Sequence, residues 1–285
     1  MLVDAHAHIF PPAFRERRDD LLRRDVTFRE MYASPRATLA SAEDLVAALD
    51  KAGLDAAVAV SIGWEDRDLA REANDYVAEA IMRHPGRLFG FCGVNPRWGE
   101  AALAEAERCA AAGLRGIGEL HPDTQGFALD DQEILGPLMA LARRLGMPVL
   151  THASEPVGHI YAGKGSTTPE RLLRFVQAHP DNTIIAAHWG GGLPFYALMP
   201  EVAEAIGNLY FDSAASPLLY DERVFQTVAG LVGADHTLFG TDYPLVGHAR
   251  MLRQVRDSAL SPEDAALILG GNVARLLGLV SAPQV

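Results

Sequence analysis

Residues 2–8, LVDAHAH, open the chain and predict a short β-strand that carries two histidines. Successive side chains of a strand point to opposite faces, so we expect Asp4, His6 and His8 on one face and the alanines between them on the other. Two imidazoles two residues apart can each give a ring nitrogen to the same metal ion. Because an isolated His-x-His pair also arises by chance, the prediction of a metal site depends on the strands that follow.

From residue 41 onward, short apolar runs alternate with segments that have helix signals. Seven further strands are predicted at residues 55–62, 88–94, 116–120, 148–153, 183–188, 209–213 and 237–242. Ser41 with Asp44 predicts the start of one helix and Gly53 its end, and a helix within 262–279 is expected to close the fold. Eight strand–helix units without a linker predict an α/β protein, a single-domain (β/α)8 TIM barrel over residues 1–285 with an inserted segment after the first strand.

Ligand-type residues end five of the predicted strands. They are His6 and His8 on the first strand, Glu119 on the fourth, His152 on the fifth, His188 on the sixth and Asp242 on the eighth. The carboxyl ends of the strands form the catalytic face of such a barrel, so these side chains are expected to converge. The whole set predicts a divalent metal, with Zn²⁺ expected first and Mn²⁺ as the alternative.

Six motifs extend this pattern over nearly the whole chain: DAHAHIF, GELHPDTQGF, PVLTHAS, AAHWGGG, LFGTDYP and GGNVARLLGL. Together with the order of the ligands, they resemble the amidohydrolase superfamily. Within it, they resemble the amidohydrolase-related group that includes aminocarboxymuconate-semialdehyde decarboxylase. The resemblance implies that Asp242 both contacts the metal and moves the proton. It also implies that His188 is either a metal ligand or the group that polarises a substrate carbonyl.

Glu119 stands where many two-metal members of the superfamily have a carbamylated lysine that bridges the ions. TatD-like nucleases use a glutamate as a bridge, so Glu119 is expected to bridge two ions. Its other role would be a hydrogen bond to a ligand histidine in a one-ion site. The ligands expected in the two-ion arrangement are His6, His8 and Asp242 for one ion and His152 and His188 for the second.

The ligand set predicts a metal-dependent hydrolase of a small organic acid amide, lactone or ester, with metal-activated water and Asp242 as general base. The alternative is a metal-dependent nonoxidative decarboxylase of an aromatic or unsaturated carboxylic acid. That enzyme would use one ion, held by His6, His8, His152 and Asp242, and would leave His188 free. A TatD-like nuclease shares the ligands, whereas a barrel that only binds its ligand has no need of a proton shuttle at Asp242.

Residues just beyond the strand ends are candidates for substrate contact, namely His121, Tyr161 and Trp189. An arginine-rich segment, residues 11–38, follows the first strand. It is expected either as a solvated helix and loop or as a lid over the site, with an arginine that binds a substrate carboxylate.

The composition excludes some classes of function. The net charge of −12 argues against a nonspecific nucleic-acid binder, which needs a cationic surface. No apolar run is long enough to span a bilayer, and the two separated cysteines do not indicate a disulfide framework. We therefore expect a cytoplasmic enzyme that acts on a small molecule, a carboxylate, without nucleic acid or membrane as partner. Assembly into a homo-oligomer is left open.

Overall fold

Eight parallel strands form a barrel in the computed structural model, which describes residues 1–279, and each strand pairs with the next in chain order. The strands are β1 (Val3–His8), β2 (Ala56–Val60), β3 (Leu88–Cys92), β4 (Gly116–Leu120), β5 (Val149–Thr151), β6 (Ile184–Ala186), β7 (Leu209–Asp212) and β8 (Thr237–Leu238). The α-helices are α1 (Ala13–Glu16), α2 (Arg18–Arg24), α3 (Val26–Tyr32), α4 (Ala42–Ala52), α5 (Arg67–Arg83), α6 (Glu100–Ala111), α7 (Pro122–Gln125), α8 (Gln132–Leu145), α9 (Pro169–Ala178), α10 (Pro200–Ala205), α11 (Ser216–Leu219), α12 (Arg223–Val232), α13 (His248–Asp257), α14 (Pro262–Ala266) and α15 (Asn272–Leu277).

The barrel closes between its first and last strands. The Ala5 N–H donates to the Phe239 carbonyl and the His8 N–H to the Tyr243 carbonyl, both at 2.7 Å. The predicted single-domain (β/α)8 barrel is thereby confirmed, although residues 280–285 of the predicted range lie outside the described residues.

The sequence predicted the two ends of α4 correctly but placed the end of the last strand too late. Ser41 Oγ accepts the Asp44 N–H at 3.2 Å and Asp44 Oδ2 accepts the Ser41 N–H at 2.8 Å, which is the predicted capping box of α4. Gly53 ends this helix with a φ of 74°, which glycine adopts readily. β8 stops at Leu238, four residues before the predicted end, because the chain leaves the sheet and reaches a left-handed conformation at Asp242.

A β-bulge in β1 overturns the predicted alternation of side chains. Asp4 pairs with Ala57 and Ala7 pairs with Ala59, so three residue steps of β1 lie opposite two of β2. Asp4 points out of the barrel, where its Oδ2 lies 3.0 Å from His248 Nε2, while Ala5 packs inside it. The expectation that Asp4 shares a face with the two histidines is therefore wrong.

The segment inserted after β1 forms α1 to α3 and packs on the barrel through an aromatic cluster. Phe28 lies between Tyr32 and Trp64, with ring centroids 5.0 and 5.9 Å away in stacked orientations. All three side chains are buried. The segment is thus part of the folded body rather than a solvated loop.

Several arginines of this segment bind acidic side chains on the barrel. Arg17 Nη1 lies 2.8 Å from Glu72 Oε1 on α5, and Arg24 Nη2 lies 2.8 Å from Asp66 Oδ2. Arg36, unlike Arg17 and Arg24, lines the cavity described below, as do most of residues 31–38. That the segment acts as a lid stays a prediction.

The closing segment consists of α14 and α15, joined by a wide turn at Leu267–Gly271. The Phe239 N–H donates to the Ile268 carbonyl at 3.0 Å, which ties this turn to the end of β8. Among residues 1–279, no helix combines the length and the apolar character needed to cross a membrane.

Candidate metal centre

His6 and His8 present their Nε2 atoms to one point at the carboxyl end of β1. His6 Nδ1 lies 2.8 Å from Asp212 Oδ2, and His8 Nδ1 lies 3.1 Å from the Val60 carbonyl oxygen, so each Nδ1–H has an acceptor. This arrangement leaves both Nε2 lone pairs free, and the two Nε2 atoms are 3.2 Å apart. Both side chains are buried and oriented as metal ligands are.

Glu119 lies at the centre of five imidazoles. The distances from its nearer carboxylate oxygen are 2.9 Å to His152 Nδ1, 3.0 Å to His121 Nε2, 3.5 Å to His6 Nε2, 3.6 Å to His188 Nε2 and 3.8 Å to His8 Nε2. Burial raises the pKa of Glu119, but the charge and hydrogen bond of His121, with the hydrogen bonds of other imidazoles, lower it well below its usual value. Glu119 is therefore ionised and forms the anionic centre of the site.

Three donor atoms at this point, those of His6, His8 and Glu119, have the spacing of ligands around one ion, and a fourth, from Asp242, lies beside His8. His8 Nε2 is 3.2 Å from both His6 Nε2 and Asp242 Oδ1, and Glu119 Oε2 is 3.5 Å from His6 Nε2. Ligands about 2.1 Å from a tetrahedral ion lie about 3.4 Å from one another. The nitrogen and carboxylate donors thus fit a divalent ion.

Asp242 reaches this group from a turn that follows β8. Its φ is 62°, and its N–H donates to the His6 carbonyl at 2.9 Å. Burial raises the pKa of the Asp242 carboxyl, but the hydrogen bond and charge of His8 and the charges of neighbouring histidines lower it more. Asp242 is therefore ionised in the structure described.

A second donor group shares Glu119 with the first and adds His152 and His188. The pKa values of the two imidazoles are shifted in opposite directions. Burial lowers the pKa of His152, which favours its neutral form. Burial also lowers the pKa of His188, but the hydrogen bond and charge of Glu119 raise it to about 9. Glu119 therefore favours the protonated form of His188, while burial favours the neutral form of His152.

Asp212, at the end of β7, was expected from the sequence only as a weak candidate for substrate contact, but it holds two site residues. Besides the bond to His6 Nδ1, its Oδ1 accepts the N–H groups of His188 and Ala214, both at 3.0 Å. Its position at a strand end was the available signal. Its contacts with β1 and with the residues after β6 exist only in the closed barrel.

A cavity of about 390 Å³ opens above the donor atoms. Its apolar and aromatic wall residues are Met31, Tyr32, Ala37, Tyr161, Ala162, Ala215, Leu218, Leu219, Pro244 and Leu245. Among the described residues that line the cavity, Arg36 is the single lysine or arginine. The predicted ligands His8, Glu119, His152, His188 and Asp242 also line it.

The predicted substrate-binding residues separate into two groups. His121 and Tyr161 line the cavity. Trp189 is fully buried outside it, where its Nε1–H donates to Ser216 Oγ at 2.9 Å and its ring packs edge-on against Phe225. Trp189 is therefore not placed to contact a substrate in this cavity.

Comparison with known proteins gives three kinds of match. A protein-family model described as an amidohydrolase matches residues 3–279. The gamma-resorcylate decarboxylase of Polaromonas sp. is 24% identical over 263 residues, covering 78% of this chain and 79% of that protein. The 6-methylsalicylic acid decarboxylase of Penicillium expansum is 24% identical over 289 residues, covering 88% and 87%. A 5-carboxyvanillate decarboxylase structure from Novosphingobium aromaticivorans, complexed with manganese, is similar with a TM-score of 0.78 at 20% identity, covering 98% of this chain and 96% of that one.

These relatives contradict the predicted hydrolysis. The curated proteins that match are named as decarboxylases, in agreement with the alternative given above. The prediction of a hydrolase of an amide, lactone or ester is therefore wrong. The reason is that the same ligand set serves both reactions and cannot by itself distinguish them.

Proposed function

Because this chain belongs to the amidohydrolase family, we propose that it is a metal-dependent nonoxidative decarboxylase of an aromatic carboxylic acid. The observation that supports this most is the cavity, which combines metal-ligand residues with apolar and aromatic walls and one guanidinium group. The decarboxylase names of the relatives agree with it.

Arg36 is the residue we propose to bind the substrate carboxylate. A guanidinium group offers paired N–H donors that match the two carboxylate oxygens. Arg36 is exposed and lines the same cavity as Met31, Leu218 and His188. We propose that a flat ring packs on Met31 and Leu218 while its carboxylate binds Arg36 or His188. His121 and Tyr161, which also line the cavity, are proposed to contact polar substituents on the ring.

Decarboxylation breaks the bond between the ring carbon and the carboxyl carbon and releases CO₂. The electron pair stays on the ring, and the ring carbon must gain a proton. Asp242 is ionised, so it has to take up a proton before it can deliver one, and a phenolic hydroxyl of the substrate can supply it. A hydroxylated aromatic acid is therefore the expected substrate, with Asp242 as its proton carrier.

One divalent ion is proposed, held by His6, His8 and Asp242 with Glu119 beside them. Such an ion would supply positive charge that stabilises negative charge on the substrate's oxygen atoms. We propose Mn²⁺, the ion named with the related decarboxylase structure, in place of the zinc expected from the sequence. The two-ion arrangement was tied to hydrolysis, and the proposal replaces it.

The segment 11–38 is proposed to act as a lid, since residues 31, 32 and 36–38 line the cavity. Its buried aromatic cluster fixes α1 to α3 against the barrel, so any movement is expected in the residues after Tyr32.

The test is carbon dioxide release by protein freed of metal with EDTA and reloaded with Mn²⁺. The substrates are 2,6-dihydroxybenzoate, 6-methylsalicylate and 5-carboxyvanillate, with unsubstituted benzoate as control. We expect CO₂ and the matching phenol in equal amounts from at least one hydroxylated acid, and none from benzoate. Protein that binds Mn²⁺ yet releases no CO₂ from any hydroxylated acid would refute the proposal.

A further inference from the structure

The bulge that turns Asp4 out of the barrel places a buried carboxylate behind the metal centre, where it is not a ligand. Asp4 is fully buried. Its Oδ1 accepts the N–H groups of His6 and Thr241, both at 3.0 Å. Its Oδ2 accepts from Thr241 Oγ1 at 2.5 Å and lies 3.0 Å from His248 Nε2. Four donors therefore converge on one carboxylate, and three of them belong to residues 241 and 248, around Asp242.

The same network continues past Asp242 on its other side. Thr241 Oγ1, which donates to Asp4, accepts the Tyr243 N–H at 3.0 Å. The Tyr243 ring stacks on His248 with centroids 5.1 Å apart and planes at 25°. Both neighbours of Asp242 in the chain are thus bound to Asp4, one directly and one through the threonine hydroxyl.

Asp242 needs such support because its backbone is left-handed, with a φ of 62°. A non-glycine residue adopts this conformation at a cost in free energy, which its surroundings offset. The Asp242 N–H donates to the carbonyl of His6, the residue whose own N–H donates to Asp4. The network therefore fixes Asp242 relative to His6 and leaves its carboxylate beside His8 Nε2.

We propose that Asp4, Thr241 and His248 form a positioning network that holds the Asp242 carboxylate in place to bind the metal and to carry the proton. The metal-binding part concerns this chain's own ligand geometry, and the proton part rests on the proposed function. None of the three residues contacts the ion or the substrate in this scheme. They act through the backbone on either side of Asp242.

The test compares two substitutions of Thr241. Thr241→Val keeps the size of the side chain but removes the hydroxyl, so Asp4 loses a donor and the Tyr243 N–H loses its acceptor. Thr241→Ser keeps both bonds. We expect the Mn²⁺ dissociation constant of Thr241→Val to rise and its kcat to fall, each by about 10- to 100-fold, with KM changed less than about threefold. Thr241→Ser should restore both to within about threefold of the wild type.

A destabilised variant remote from the site separates positioning from loss of stability. Val228→Ala, in the buried face of α12, lowers the melting temperature without touching the network. At a matched melting temperature it should keep the wild-type Mn²⁺ affinity and kcat. Wild-type values in Thr241→Val, or equal losses in Val228→Ala, would overturn the proposal.

Two substitutions of His248 test the network independently, in case Thr241→Val does not fold. His248→Gln keeps a side-chain N–H for Asp4, whereas His248→Leu has none, so the glutamine variant should retain Mn²⁺ affinity and the leucine variant should lose it. Equal affinities in the two variants would overturn the network. Because Mn²⁺ affinity is measured without turnover, this comparison still tests the network even if the wild type decarboxylates none of the acids.

Discussion

Replacing Glu119 with glutamine tests the anionic centre of the site directly. Glu119 is almost fully buried, and one of its oxygens lies 3.5 Å from His6 Nε2 and 3.8 Å from His8 Nε2. The amide keeps the size and can still bond with His121 and His152, since it has one acceptor and one donor end. The substitution therefore removes a negative charge while leaving the packing nearly unchanged.

The expected loss of Mn²⁺ affinity follows from the removal of that negative charge. At an effective dielectric constant of about 20, a unit charge about 4 Å from a divalent ion contributes about 8 kcal/mol of attraction. The desolvation of the carboxylate offsets a large part of this, and Asp242 still supplies one anionic ligand. We expect a net loss of about 3–4 kcal/mol, which raises the Mn²⁺ dissociation constant by about 100- to 1000-fold.

The assay is a Mn²⁺ titration of EDTA-dialysed protein, followed by calorimetry and by the electron paramagnetic resonance signal of free Mn²⁺. The wild type should bind one equivalent tightly, and Glu119→Gln one equivalent weakly. Glu105→Gln is the matched control, because Glu105 is also a largely buried carboxylate, bound to Arg108 Nη2 at 2.6 Å on α6. It should bind Mn²⁺ as the wild type does.

Two results would refute this reasoning. Unchanged affinity in Glu119→Gln would show that the charge of Glu119 does not contribute to ion binding and that Glu119 serves only as a hydrogen-bond partner of the histidines. Two tight equivalents in the wild type and one in the variant would show that Glu119 bridges two ions, as the sequence first suggested.

Three further predictions concern the reaction and the charges of the site. Asp242→Asn should lower kcat at least about 1000-fold with an unchanged circular dichroism spectrum, because the amide cannot carry the proton; near-normal turnover would remove Asp242 from the mechanism. Arg36→Ala should raise KM for the aromatic acid about 10- to 100-fold and leave kcat nearly unchanged, whereas Arg23→Ala, an exposed arginine of the same segment, should change neither. Burial lowers the pKa of His188 but Glu119 raises it to about 9, so the protonated imidazole stabilises the fold below about pH 6.5 and this contribution is lost towards pH 9. The free energy of unfolding of metal-free protein should fall by about 3 kcal/mol over that range, and urea titrations should find a flatter profile in His188→Gln; equal profiles would contradict the assignment.

The superfamily resemblance and the barrel are confirmed, and the reason lies in the local nature of their signals. Strand period and helix caps act within a few residues, so Ser41, Asp44 and Gly53 are readable from the chain alone. The convergence of strand-end residues follows from the parallel barrel itself.

Features that depend on contacts between distant segments could not be predicted from the sequence. The bulge that turns Asp4 outward is set by pairing with β2 and by bonds to Thr241 and His248, which are more than 230 residues away. Trp189 follows a predicted ligand in the chain, yet the left-handed backbone at residues 188–192 turns it into the packing against Phe225. In both cases the direction of the side chain depends on contacts that the local sequence does not show.

The choice between hydrolysis and decarboxylation likewise could not be made from the local sequence around the ligands. His6, His8 and Asp242 present similar donors in either reaction, so they fix the place of the chemistry but not the bond that breaks. What favours decarboxylation is the names of the matching relatives, whereas the wall of the cavity, assembled from residues 31–38, 159–163, 215–219 and 244–245, bears on which acid is bound. These four loops follow four different strands and share no local motif. Since the substrate ring would contact only this wall, substitutions there should change which acid is used, whereas substitutions of the ligands should abolish the reaction with every acid.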